Sequence, residues 1–332
     1  MTRPRYCLLL AGLGLLVGLL FLASLLTGPA GIGIGRSLAA LFGGGDEVLG
    51  LVMREIRLPR AILGLAVGAA LGVSGAALQG FLRNPLAEPG LIGTSASAAL
   101  GAVIAIHTGL AAAFPLALPF AALAGALASV ALLLVLAGPR AMTLSLILAG
   151  IAISALAGAA TSLVLNLSPN PFAANEIVFW MMGSLADRSM LHVWIALPVM
   201  ALGLAMLLPT AGSLDALTLG EDAGASMGVD LGRLRLLLAG GTAALIGGAT
   251  AVAGSIGFVG LVAPHVLRRA VGSRPSRLLP ASALGGAAMV LGADIAVRLI
   301  MPDRDLKLGV LTALVGAPFF LHLIVKTRGD TP

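Results

Sequence analysis

Apolar residues in this chain come in long unbroken runs. They show neither the alternation of half-buried strands nor the one-sided stripe of a surface helix. The runs are Leu8 to Leu26, Ala61 to Leu78, Leu91 to Ile106, Pro115 to Leu136, Leu144 to Leu165, Leu191 to Leu208, Leu234 to Ala253, Phe258 to Val271, Leu278 to Leu299 and Leu308 to Val325. Most approach the ~20 residues that a helix needs to cross a hydrocarbon layer of about 30 Å. Only helices satisfy their own backbone groups there, so the pattern predicts an all-α, polytopic membrane protein with about ten transmembrane helices. The third and eighth runs are short and bounded by Gly and Pro. The first run has 19 residues. A signal-peptide core has about 7–15, so the run is expected to stay in place as the first span. Pro171 to Met182 is too short to cross and holds Asn175, Glu176 and Trp180, which predicts a short interfacial helix on the outer side. The longest connections are Thr27 to Arg60 and Pro209 to Arg233, so residues 1–332 read as a single transmembrane domain.

Composition agrees with this pattern. Of 332 residues, 59% are hydrophobic and 10% charged, where soluble domains carry about 25% charged residues. So few charges cannot cover a water-facing surface, which excludes a soluble enzyme, a nucleic-acid binder and a disordered chain. Aromatic residues are 4% and glycines number 45, so bulk comes from Ala, Leu and Val on helices able to pack closely. The single cysteine, Cys7, excludes an intrachain disulfide and any CxxC site. No GxxxxGK[ST] pattern occurs, so ATP dependence by that route must come from a partner.

The net charge of +6 and pI near 10.9 matter less than where the charges fall. Even parity puts both termini on one side. The positive-inside rule makes that side cytoplasmic, with twelve Lys and Arg inside against eight outside. The outer set is Arg36, Arg54, Arg57, Arg60, Arg188, Arg298, Arg304 and Lys307, placed against the usual bias.

Arg57-Leu58-Pro59-Arg60 stands before the second run. Pro in a first turn signals a helix start, whereas a cation beside a helix N-terminus opposes the macrodipole by about 0.3–1 kcal/mol. Two readings stand open: snorkelling to lipid phosphates with pairing to Glu55, or docking of an acidic partner. Asp294 and Arg298 lie one turn apart and can neutralise each other, and the Arg298 fork has donors left to face outward. Residues 210–233 hold two short helix-like pieces punctuated by Gly220 and Gly228. Ser213 is placed to cap the first, and Glu221 and Asp222 suit the first turn of the second. The segment reads either as a solvated connector or as a knob for a groove in another protein. The turns Arg83 to Gly90 and Gly254 to His265 put Pro, Asn and Gly at membrane depth, which is tolerated only inside protein or along a cavity. His265 has no second ligand at metal spacing, so no metal site is expected. Gly64, Gly68 and Gly72 permit a close helix crossing.

Together these segments resemble the FecCD-type permeases, the membrane subunits of type II ATP-binding-cassette importers for iron-siderophores, haem and cobalamin. The matching residues are Arg57 to Arg60, Ser74-Gly75 with Gln79, Asn84 to Gly90, Leu148 to Gly150, Trp180 with Gly183-Ser184, and Leu219 to Glu221 with Ala225 and Met227 to Val229. Further on they are Gly257 to His265 with Arg268, Asp294 with Arg298, and Gly316 to Phe320. The resemblance implies a BtuC-like permease fold in the bacterial inner membrane with both termini cytoplasmic. It also implies a second permease copy forming a homodimer, two ATP-binding subunits on the cytoplasmic side, and a periplasmic or lipid-anchored substrate-binding protein. Lipid surrounds the chain, and nucleic acid is no partner. ATP and Mg belong to the ATPase subunits, and this chain carries no cofactor and no catalytic residue. By the same resemblance Arg57, Arg60 and Arg298 meet the binding protein, Leu219, Gly220, Glu221, Ala225 and Gly228 meet the ATPase, and Asn84, Leu86 and Thr143 lie at the cytoplasmic gate. One departure is Asp305-Leu306-Lys307-Leu308-Gly309, where the family has Glu-Leu-Pro-x-Gly. An iron-siderophore or haem is the expected cargo, iron chelates being the commonest class in the family, with cobalamin the alternative. An ion-driven secondary transporter is the rival class, and it needs carboxylates inside spans, where Asp294 is the one acidic residue placed.

Overall fold

The computed structural model describes residues 2–28, 33–44, 46–114, 116–138, 143–168, 171–301 and 306–329. Among them every regular element is helical. The chain runs α1 (Arg3–Leu26), α2 (Ile34–Leu41), α3 (Glu47–Leu51), α4 (Leu58–Phe81), α5 (Thr94–His107), α6 (Leu110–Ala113), α7 (Ala117–Ala137) and α8 (Thr143–Asn166). It continues through α9 (Pro171–Met181), α10 (Met190–Leu207), α11 (Ala211–Leu217), α12 (Glu221–Ser226), α13 (Leu231–Ala253), α14 (Val259–Arg268), α15 (Pro275–Ile300) and α16 (Leu308–Gly329).

All ten apolar runs are helices. Seven helices are long and apolar enough to span a membrane, and Thr94–His107, Val259–Arg268 and Leu308–His322 are shorter apolar helices. Two of the short ones have a local cause. The tight turn Pro89–Ile92 and Gly93 at φ +79° delay α5, and Gly254 at φ +69° ends α13 before the chain re-enters helix at Val259. The segment from Pro171 does form a short helix, α9, and the 210–233 loop holds α11 and α12.

Burial separates the centre of the bundle from its edge. The apolar windows of α4 and α13 are 83% buried inside the protein and that of α1 only 17%. In lipid no hydrophobic force drives helices together, so close van der Waals packing must hold them. The α4–α15 crossing shows how: a Cβ added at Gly72 would meet the Ser282 carbonyl, and one at Gly68 the Gly286 carbonyl. α1 lies along the outside of α15 and is fastened at both ends. The Tyr6 hydroxyl donates to the Arg277 carbonyl at 3.1 Å, and Arg298 Nη1 donates to the Ser24 and Thr27 carbonyls at 2.9 and 2.8 Å.

Two sequence expectations are corrected. Pro59 does not start a helix, because Glu47–Phe81 is one continuous helical segment whose N-terminus is capped by Asp46. A π-helical turn over Val52–Arg57, with the Leu58 N–H bonded to the Met53 carbonyl, loosens the helix where the Pro59 ring would press on the carbonyl of Glu55. The cations at 57 and 60 therefore do not face a helix N-terminus, and the macrodipole argument loses its premise. Ser213 caps nothing: the turn Leu208–Thr210 runs directly into α11, so Ser213 lies inside the helix.

Candidate functional site

One end of the bundle carries a buried arginine cluster. Arg60 on α4 grips Asp294 on α15 through Nε at 2.9 Å and Nη2 at 2.8 Å, and Arg298 reaches the other Asp294 oxygen at 2.8 Å. The Asp294 side chain is 2% exposed, so one carboxylate sits between two guanidiniums out of water. Arg57, 5% exposed, donates to the Leu25 and Leu26 carbonyls at 3.2 and 3.3 Å. Arg57 and Arg298 together thus satisfy the orphan carbonyls at the C-terminus of α1, where cations also suit the dipole. Arg54 does the same for α2, bonding the Leu41 carbonyl at 3.1 Å. Pairing of Arg57 with Glu55 is replaced by these carbonyl bonds. The three arginines that the resemblance assigns to docking are brought together, and each donates to a partner inside the chain. Arg304 and Asp305 lie outside the described residues.

The two irregular turns meet inside the bundle. Glu88 Oε1 accepts the Phe258 backbone N–H at 2.9 Å, which caps α14. Gln79 Nε2 donates to the Ala87 carbonyl at 3.2 Å and the Leu261 carbonyl at 3.3 Å, while its Oε1 accepts from Arg268 at 2.6 Å. The junction lies deep, since a Cβ at Gly75, well along α4, would meet the Gly260 carbonyl. Glu88 is therefore a second carboxylate within the bundle besides Asp294. Sequence reading marked its turn but not the residue. His265 presents its ring edge-on to Phe319 at 5.9 Å.

The opposite end carries the α11–α12 knob. Leu219, Ala225, Met227 and Gly228 are exposed on it, Gly220 turns the chain at φ +115°, and Glu221 pairs with Arg235 of α13 at 3.5 Å. Asp215 fastens the knob to the start of α15: it accepts from Arg274 Nε at 2.9 Å, Ser276 N–H at 2.8 Å and Ser276 Oγ at 2.7 Å. Sequence reading passed over Asp215 because its partners lie some 60 residues on, although an acid facing a Pro-started helix was a usable signal. Asn84 is exposed on the turn after α4, where its Oδ1 accepts the Leu86 N–H at 2.9 Å. Thr143 opens α8, and its side chain lies outside the described residues. α15 thus joins the two ends: Asp215 holds its first turn and Asp294 stands near its last.

Three comparisons bear on this geometry. The sequence model of the FecCD transport family matches residues 15–326. The Fe(3+) dicitrate transport system permease protein FecD of Escherichia coli is 41% identical over 83% of this chain and 86% of its own. The cobalamin import system permease protein BtuC of Halobacterium salinarum is 40% identical over 85% of this chain and 75% of its own. A solved structure described as an inward-facing conformation of a metal-chelate type ABC transporter superposes with a TM-score of 0.85 at 34% identity. It covers 96% of this chain and 98% of that one.

Proposed function

The chain belongs to the FecCD transport family, and as a permease of an ABC importer for metal chelates, we propose, it carries an iron-siderophore or haem inward across the bacterial inner membrane. Relatives named for ferric citrate and for cobalamin sit at nearly equal identity, which keeps cobalamin as the alternative cargo. ATP and Mg are handled by two separate ATP-binding subunits. The permease binds no cofactor and forms a homodimer with a second copy. Both termini face the cytoplasm, so the α11–α12 knob meets the ATPase through Leu219, Gly220, Glu221, Ala225 and Gly228. Asn84, Leu86 and Thr143 stand at the cytoplasmic mouth as its gate. The arginine end then faces outward, and Arg57, Arg60 and Arg298 frame the surface where the substrate-binding protein docks.

The observation that supports this reading is α15, gripped by Asp215 at the knob end and by Arg60 at the arginine end. Movement of the knob is passed along one helix to the far side, the two-ended linkage that alternating access needs. The test is co-purification with the ATP-binding subunits, followed by uptake of an iron(III) chelate into proteoliposomes. Uptake that needs ATP and survives collapse of the proton gradient is expected, and uptake without the ATPase would overturn the reading.

A further inference from the structure

Helix α4 ends in a turn that the rest of the chain makes with glycine. The Asn84 N–H reaches back across the helix end to the Gln79 carbonyl at 3.2 Å, and the residue that goes left-handed to allow this is Arg83, at φ +48°. Helices α2, α5, α9 and α12 put glycine at the same place, two residues past the helix: Gly43, Gly109, Gly183 and Gly228, at φ between +72° and +90°. A Cβ in this conformation crowds the carbonyl that follows, so the arginine is held at a cost. Its surroundings fix it there. The Ala87 N–H donates to the Asn84 carbonyl at 3.1 Å, the Leu86 N–H to Asn84 Oδ1 at 2.9 Å, and buried Gln79 Nε2 to the Ala87 carbonyl at 3.2 Å. Residues 83–87 therefore form one rigid loop hung from Gln79, with Arg83 as its first residue.

The Arg83 side chain reaches the α11–α12 knob. Its Nη1 is the first atom from elsewhere in the chain that a Cβ added at Gly220 would meet, at 4.0 Å. Gly220 joins α11 to α12, and the two acids in the first turn of α12, Glu221 and Asp222, follow it directly. Arg83 is exposed, and among the described residues it is in none of the ion pairs. An exposed cation beside acids contributes little to stability, whereas its backbone is strained. Folding alone gives no reason to keep an arginine here.

We propose that Arg83 is the positioning residue through which the knob moves the loop carrying Asn84 and Leu86. The guanidinium beside Gly220 follows the knob, and the rigid loop passes that displacement on to the two residues after it. The inference rests on the importer reading, which makes the knob the ATPase contact and Asn84 and Leu86 the gate. A second route runs through packing, since a Cβ added at Gly80 of α4 would meet the buried Leu214 side chain of α11 at 3.6 Å. That contact belongs to the helix, whereas Arg83 belongs to the loop itself.

The test compares Arg83→Gly, Arg83→Asn and Arg83→Lys in the full complex with its ATP-binding subunits and binding protein, in proteoliposomes. Iron(III) citrate, haem and cyanocobalamin are the probes, and the one that the parent takes up with ATP is used for the variants. Uptake per ATP hydrolysed should fall at least about fivefold in Arg83→Gly and Arg83→Asn, and stay within about twofold in Arg83→Lys, which keeps the cation. Thermal unfolding is read on the same samples. Gly and Asn both accept left-handed backbone, so these two variants should melt no lower than the parent. A structural arginine would instead lower melting and uptake together, and that result in both variants overturns the proposal. Uptake per ATP within about twofold of the parent in Arg83→Gly also overturns it, and leaves the Leu214 packing as the route and the importer standing. A parent that takes up none of the probes with ATP overturns the importer reading and this inference with it.

Discussion

Glu88 and Phe258 are joined across 170 residues of chain by a single 2.9 Å hydrogen bond from the Phe258 backbone N–H to Glu88 Oε1. Phe258 stands at φ +67°, a backbone region that costs a non-glycine residue about 1–3 kcal/mol. The carboxylate offsets that strain by capping α14, where it also meets the positive end of the helix dipole. Glu88→Ala is expected to cost about 1–2 kcal/mol in detergent unfolding, as for other lost caps. Glu88→Gln, which keeps an acceptor oxygen, should cost less than half of that. Equal effects of the two would show that the cap is not what Glu88 supplies.

Asp294→Asn leaves Arg60 and Arg298 face to face without their anion, and the loss of one member of a buried ionic group costs about 3–5 kcal/mol. Because the group is buried, raising the salt concentration should not reproduce the loss. Arg60→Glu should lower stability as well as any affinity for a docked protein, since Arg60 is a partner of Asp294 before it is a surface cation. Salt-dependent melting of the parent by a comparable amount would contradict this.

Gly72→Val should prevent correct packing of α4 on α15, because the new side chain meets the Ser282 carbonyl, which belongs to backbone and has nowhere to go. The internal control is Gly14 in α1, where nothing lies within 4 Å of an added Cβ. Gly14→Ala is expected to be neutral or to stabilise by up to about 1 kcal/mol through helix propensity. Monodisperse protein by gel filtration in the first variant would refute the close crossing.

Asp215→Asn should uncouple transport from ATP use: uptake per ATP hydrolysed falls several-fold while the complex still assembles. Arg274→Gln should matter much less, since its side chain is 59% exposed and exposed ion pairs contribute about 0–1 kcal/mol. The Ser276 bonds to Asp215 remain in that variant. Unchanged coupling in Asp215→Asn would show that α15 does not carry the motion.

What the sequence made legible was local. Runs of Leu, Ala and Val locate ten helices because crossing a bilayer needs length and apolarity within one segment. Gly220 and the acids after it mark α12 for the same reason. What escaped the sequence depends on partners far along the chain. Pro59 looked like a start because the π-helical turn that absorbs it is set by packing of Met53 and Arg57 inside the protein. The carbonyls that occupy Arg57 and Arg298 belong to α1, some 30 and 270 residues away, so no local spacing announces them. For Arg57, Arg60 and Arg298, family resemblance implies a docking role, whereas the structure shows an internal one that no local pattern announces.

The fastening of α1 to α15 has a mechanical consequence. A helix at the edge of a bundle, touching lipid over most of its surface, can ordinarily slip lengthwise or roll at little cost. Tyr6 at one end and the Arg298 fork at the other remove that freedom, as two rivets do for a splint laid along a bone. Any tilt of α15 therefore drags α1 through the surrounding lipid. The thickness and viscosity of the bilayer become part of the load the importer works against.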